Sequence, residues 1–348
     1  MPRSAAPVRP ATRRRALRGA VPALVVLAAG VAAAPAGATT WGLADQKATT
    51  FAQPAFGELR AAGLSTARYV VRYDALRYRD SPTLGYHAAL LDAWLTAARA
   101  AGVRPLVTFW VTASGSRSLR NAVSTTRFVQ DVRRFRATYP WVRDFSLFNE
   151  PNLTGPFRGK PEALGRLYRA VKRELASCSG CTLLGGDIHL TSGREAGAYA
   201  LRVRRAAGRS IPAWGLNNYN DVNDGKATET GRFLRSSAVR RSKVWITESG
   251  GVYSRKASSE RSNPFLAQRR KASGDVARER YQYDATRFLH TIAKRYASRI
   301  QRIYVYQLQS EPNPAWTPGT RNGSWDSGLL DPRGQKRRSF TYLLDDVL

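Results

Sequence analysis

From Thr40 to the C-terminus, short apolar runs alternate eight times with stretches of helical periodicity, and this alternation leaves the chain few architectures. Strand-like runs fall at 40–44, 66–71, 104–111, 142–148, 182–186, 213–217, 243–247 and 300–308. Apolar residues recur at helical spacing over 86–101, 125–139, 161–177, 194–207, 228–237 and 276–297, with a shorter segment at 340–348. Continuous apolar runs of this length read as strands buried on both faces, and the longer periodic stretches as amphipathic helices. Strands and helices in strict alternation imply parallel strands joined by crossovers, either closed as a barrel or open as a doubly wound sheet. An open sheet usually carries a Gly-rich phosphate turn after its first strand. The stretch TTWGLADQ has none, and no G-x-G-x-x-G, Walker loop or G-x-S-x-G occurs anywhere. The expected fold class is therefore α/β, a single (β/α)8 TIM barrel over 39–348 without an internal linker.

The segment before this pattern is of another kind. Arg13, Arg14, Arg15 and Arg18 precede an almost uncharged apolar stretch at 19–34, and Ala36-Gly37-Ala38 follows. That order is a secretory signal peptide at 1–38, and the h-region is too short, and too broken by Pro22 and Pro35, to anchor in a bilayer. Thr12-Arg13-Arg14 with Leu17 loosely resembles a twin-arginine signal, so Sec and twin-arginine export both stay open. A secreted protein without stable membrane insertion is expected. Export also decides the reading of Cys178 and Cys181, the only cysteines. Spaced C-x-x-C after a helix and facing an oxidant, they should form a small structural disulfide. Two Cys and three scattered His make no zinc site, and neither metal nor cofactor is expected.

The chain has 56 Lys plus Arg against 25 Asp plus Glu, a net charge of +31. Such a balance suggests nucleic acid, but no helix-turn-helix, zinc finger or RNP motif accompanies it. An Arg-heavy, Ala-rich composition also follows from a GC-rich genome, and a basic surface suits an acidic polysaccharide or cell envelope. The segment after strand seven, 251–273, holds six basic residues and one acid, Glu260.

In a barrel, reactive groups sit at the C-terminal strand ends and the loops beyond them. Of ten Glu, three directly follow an apolar strand: Glu150 in DFSLFNEPN, Glu248 in KVWITESGG and Glu311 in YQLQSEPN. Two carboxylates on one rim are what glycoside hydrolysis needs, one protonated to serve the leaving oxygen and one ionised to attack the anomeric carbon. Proximity keeps two such groups in different protonation states. Taken alone, each Glu could equally cap the next helix or close a salt bridge.

FNEP after the fourth strand and TESG after the seventh resemble glycoside hydrolase clan A, over essentially the whole chain beyond the leader. The resemblance implies Glu150 as acid/base and Glu248 as nucleophile, 98 residues apart on strands four and seven. It implies that Asn149 holds the sugar 2-hydroxyl. Arg68, on strand two, falls where the clan carries an Arg near the nucleophile; Arg72 shares that strand face. Tyr219 in LNNYND resembles the aromatic or His that hydrogen-bonds the nucleophile, and Asn217 departs from the His often found there. The clan's strand-eight Trp is missing, so Trp316, Trp325 or Tyr306 would take its place, and Trp110 is a candidate stacking platform or an edge-of-core residue.

The implied activity is a secreted retaining glycoside hydrolase acting on an oligo- or polysaccharide, with an acidic glycan in view, as a monomer and without nucleic acid. The alternative is a barrel that binds a glycan or cell-wall polyanion without turnover, for which two paired carboxylates have no chemical use. The fold does not choose the sugar.

Overall fold

Eight parallel barrel strands alternate with helices in a computed structural model that describes residues 39–113, 123–208, 210–255, 274–320 and 322–348. The expected leader and the 256–273 part of the basic segment lie outside these. The barrel strands are β1 (Thr40–Ala44), β2 (Thr66–Arg72), β3 (Arg104–Trp110), β4 (Asp144–Ser146), β5 (Thr182–Leu184 and then Asp187–His189), β6 (Ala213–Asn217), β7 (Lys243–Ser249) and β8 (Ile300–Val305). Hydrogen bonding runs from the first half of β5 through β4, β3, β2, β1, β8, β7 and β6 to the second half of β5. Both ends of the sheet are thus one strand, and the barrel closes at Gly185-Gly186.

The break in β5 has a steric cause. Gly186 sits at φ +124°, and a Cβ on Gly185 would lie 2.7 Å from the Trp214 ring. Leu184 therefore completes its ladder with β4, and the Gly185 amide turns to donate to the Ala213 carbonyl on β6. The expected strand end at 186 was too early, because Asp187–His189 resumes pairing with β6. Strand four is shorter than expected. Beyond Ser146 the chain leaves the regular ladder to carry Asn149 and Glu150 onto the rim, tied by the Asn149 amide to Phe109 O and the Glu150 amide to Asp187 O.

Side chains alternate across each strand with the period of two that a pleated backbone imposes. Outward residues such as Tyr69, Val71, Val107, Phe109 and Phe145 pack under the helices in the main core. Those helices include α1 (Pro54–Ala61), α2 (Tyr86–Ala100), α3 (Thr125–Thr138), α4 (Pro161–Glu174), α5 (Gly193–Ala207), α6 (Tyr219–Asp224), α7 (Thr228–Arg235), α8 (Asp275–Arg295) and α9 (Arg338–Asp346). Inward residues fill the barrel in layers. Ala44, Leu106, Leu184, Ala213, Trp245 and Tyr304 form an apolar plug. Asp144, buried on β4, takes a bidentate ion pair from Arg104 at 2.6 and 2.7 Å and a third bond from Arg302. Another buried layer is polar: Arg68, Thr108, Ser146 and Asp187.

Cys178 and Cys181 are joined as expected, between α4 and the start of β5. That end of the barrel is opposite the rim bearing Glu150 and Glu248. Among the described residues no helix is long and apolar enough to cross a membrane, and no group of three His, Cys, Asp or Glu could hold a metal ion.

Candidate active site

Arg68 organises the rim from below. Its side chain is fully buried, and each of its three guanidinium nitrogens donates a hydrogen bond. Nη1 donates to Glu248 Oε2 at 2.7 Å, Nη2 to Asn149 Oδ1 at 2.7 Å and to Asp187 Oδ2 at 2.6 Å, and Nε to Asp187 and Thr108 at 3.1 Å. Burial works against the charged guanidinium, but Asp187 and Glu248 outweigh it and hold Arg68 protonated. Asp187 is itself buried, and accepts further bonds from the Thr108 hydroxyl at 2.9 Å and from Ser146 Oγ. Room for it depends on Gly215 on β6, where any Cβ would collide with the Asp187 carboxylate. One guanidinium on β2 thus fixes Glu248 on β7 relative to Asn149 after β4.

Glu248 is the sixth residue of β7, a strand that runs two residues beyond its expected end. The second oxygen, Oε1, accepts from the Tyr219 phenol at 3.0 Å. Burial pushes that phenol well above its usual range, so it remains a neutral donor. Trp325 backs Tyr219 edge-on at 5.2 Å between ring centres, under the Arg255 guanidinium. Burial also raises the Glu248 carboxyl, as does the like charge of Glu150, against the pull of Arg68 and Tyr219.

Glu150 holds φ +46°, a left-handed conformation that a non-glycine residue adopts at a cost of roughly 1–2 kcal/mol. Its Oε1 meets His189 Nδ1 at 2.9 Å and accepts from Asn217 Nδ2 at 3.1 Å. Asn217 is in turn oriented by the Thr247 hydroxyl, which donates to its Oδ1 at 2.9 Å. Burial alone would raise Glu150, but the contacts with His189 and Asn217 and the charge of Arg68 bring it below the ordinary value. His189 Nδ1 and Glu150 Oε1 are thus joined by one hydrogen bond, and the charge of Glu150 disfavours ionisation of Glu248.

Each candidate site residue within the described stretches has a definite place. Arg68, Asn149, Tyr219, Glu150 and Glu248 converge on one site, and of the two arginines on β2 it is Arg68 that reaches Glu248. A cavity of about 300 Å³ opens beside Glu248 and Asn149, with Trp110, Tyr306 and Arg72 in its wall. Trp110 carries the Arg72 guanidinium over its ring at 4.5 Å, so a stacked sugar would meet only what that contact leaves free. Trp316 must be moved. It is buried, 6.1 Å edge-on from Tyr253 and bonded through Nε1 to Thr320 O, and it does not line the cavity. Of the three candidates for the missing strand-eight Trp, Tyr306 is the one in the cavity wall. Glu311 is exposed and outside the cavity. Asp187 was missed, and His189, noticed near a strand end only for a serine hydrolase that lacks its elbow motif, was not placed in this site.

No family model and no curated protein sequence matches the chain. Solved structures do. A family 39 glycoside hydrolase from Bacteroides cellulosilyticus WH2 is 17% identical with a TM-score of 0.56, covering 88% of this chain and 63% of that one. The chain thus spans less than two thirds of that protein. Xylanase B from Clostridium stercorarium F9 is 13% identical with a TM-score of 0.62, covering 88% of this chain and 97% of that one. A β-glucosidase from Thermotoga maritima is 11% identical with a TM-score of 0.57, covering 90% and 98%. At these identities the likeness establishes the fold alone, a (β/α)8 TIM barrel.

Proposed function

We propose that the protein is a secreted retaining glycoside hydrolase in which Glu248 is the nucleophile and Glu150 the acid/base. The observation that carries this reading is the double restraint on Glu248: a buried guanidinium on one oxygen, a neutral phenol on the other. Those contacts favour the ionised form against burial and hold the carboxylate in the cavity wall. Held this way, Glu248 attacks the anomeric carbon while Glu150 gives its proton to the glycosidic oxygen, and the aglycone leaves as an alcohol. In the second step Glu150 takes a proton from water, the hydroxide oxygen bonds to the same carbon, and Glu248 leaves. Two inversions retain the configuration.

His189 fits this cycle. Glu150 must be protonated in the first step and ionised in the second: its proton departs on the aglycone, water supplies the next one, and the contact with His189 Nδ1 holds the carboxyl in place through both. Protonation of Glu150 removes the like charge that raises Glu248, so arming the acid favours ionisation of the nucleophile. Arg68 binds both Glu248 and Asn149, which places the Asn149 amide where it can meet the 2-hydroxyl of a sugar bonded to Glu248. The leader at 1–38 supports export.

The stereochemistry of the first-formed product, followed by proton NMR on an aryl glycoside, tests the proposal. The anomer of the substrate should appear first. The opposite anomer would require a water between the carboxylates and would end the two-step mechanism.

A further inference from the structure

Among the cations at this end of the barrel, Arg72 stands apart. Arg68 is committed to Glu248, Asn149, Asp187 and Thr108, and Lys47 is bound to Asp45 at 2.7 Å and to Gln307 at 2.9 Å. Arg72 lies four residues beyond Arg68 on β2, on the same strand face, and lines the cavity that holds Glu248 and Asn149. It makes no hydrogen bond or ion pair with any described residue; its contact is the face of Trp110. The nearby carboxylate is occupied: Asp74 accepts from Thr112 Oγ1 and, at 2.7 Å, from the Ala113 amide. The carboxylate in the cavity wall, Glu248, is held by Arg68 and Tyr219. An exposed arginine without a partner is ordinary. A half-buried one is different, because desolvation disfavours its charge, Tyr86 and Asp74 offset that only in part and without a hydrogen bond, and its direct contact is the Trp110 ring.

A guanidinium resting on an aromatic face keeps its N–H donors for a ligand approaching at its edge. That fork matches the two oxygens of a planar carboxylate. We propose that Arg72 is a specificity site for acidic glycans, seating the carboxylate of a uronic acid residue in the cavity beside Glu248. Turnover of such a glycan rests on the hydrolase reading above; binding does not.

The two are separable by calorimetry on the Glu248→Gln protein. The probes are oligosaccharides of glucuronoxylan and of polygalacturonate, each beside its carboxyl-reduced form, with a sulfated galactan oligosaccharide as a third arm. At least one uronate oligosaccharide should bind about tenfold or more tighter than its reduced form, as a charge-assisted pair provides. Arg72→Leu should erase that difference, and Arg72→Lys should keep part of it. Equal binding of acidic and reduced forms, or discrimination that survives Arg72→Leu, would overturn the proposal. So would an Arg72-dependent preference for the sulfated probe over both uronates. Wild-type protein that binds uronates through Arg72 but releases no sugar would sink the hydrolase reading and leave this site standing. Hydrolysis of reduced and acidic glycans with equal kcat/KM, before and after Arg72→Leu, would do the reverse.

Discussion

Replacing Arg68 with methionine keeps much of the side-chain volume and removes the guanidinium from a fully buried position. Five hydrogen bonds vanish together, to Thr108, Glu248, Asn149 and twice to Asp187. The largest consequence falls on Asp187, which has no exposure and keeps only the hydroxyls of Thr108 and Ser146. Removing one partner of a buried ion pair costs about 3–5 kcal/mol, because the remaining charge has neither water nor counter-charge. Arg68→Met should therefore lower the urea-unfolding free energy by roughly that amount. Neutralising the abandoned carboxylate should return part of the loss, so Arg68→Met/Asp187→Asn should be more stable than Arg68→Met alone. The cycle completed with Asp187→Asn should show a coupling energy on the order of 2 kcal/mol or more. If Arg68→Met cost less than about 1 kcal/mol, or if the two changes were additive, Arg68 would not be the ionic centre of the rim.

Other consequences follow from the same contacts. The rate of inactivation by an activated 2-deoxy-2-fluoroglycosyl fluoride, whose leaving group needs no acid, reports ionised Glu248 and should fall as pH drops through its raised pKa. Glu150→Gln removes the like charge and should move that midpoint down, whereas Tyr219→Phe removes a donor to the carboxylate and should move it up; opposite movements would contradict the assigned causes. For stability the sign is also definite. A carboxyl raised in the folded state holds more protons there than in the unfolded chain, so wild-type stability declines as pH rises through that range. Thermal unfolding of Glu248→Gln should therefore gain on wild type as pH rises above the ordinary glutamate value of about 4.3, and a gain toward acid would be the wrong sign. Replacing Cys178 and Cys181 with serine opens a four-residue loop and should cost at most about 2 kcal/mol. It should leave kcat/KM intact, because the bridge lies at the far end of the barrel; a large activity loss would refute that placement.

The fold was legible because a parallel barrel is buried on both faces, so its strands stand out as apolar runs between amphipathic helices. Glu150 and Glu248 were legible for a related reason. A carboxylate directly after such a run has few places to go except the rim. What surrounds them was harder to read. Arg68 lies within the apolar stretch TARYVVR, and only its likeness to the clan pattern marked it. The place of Asp187 and His189 in the site was hidden by Gly185-Gly186, which reads as the end of a strand but is a kink that the strand survives. Once β5 is extended, both fall under the rule that found the glutamates. Trp316 went astray because a loop after β8 has no periodicity from which to place a side chain. It packs against Tyr253 and beneath Arg333 instead.

The central claim is that Glu248 bonds covalently to the sugar. The direct measurement is trapping with the 2-deoxy-2-fluoro derivative of whichever aryl glycoside the protein turns over, followed by intact-mass and peptide mass spectrometry. The account predicts one fluoroglycosyl group per chain, carried on Glu248 in the peptide around KVWITESGG. Attachment to Glu150, to Glu311 or to any other residue would contradict it, as would turnover of the parent glycoside with inversion and no adduct at all.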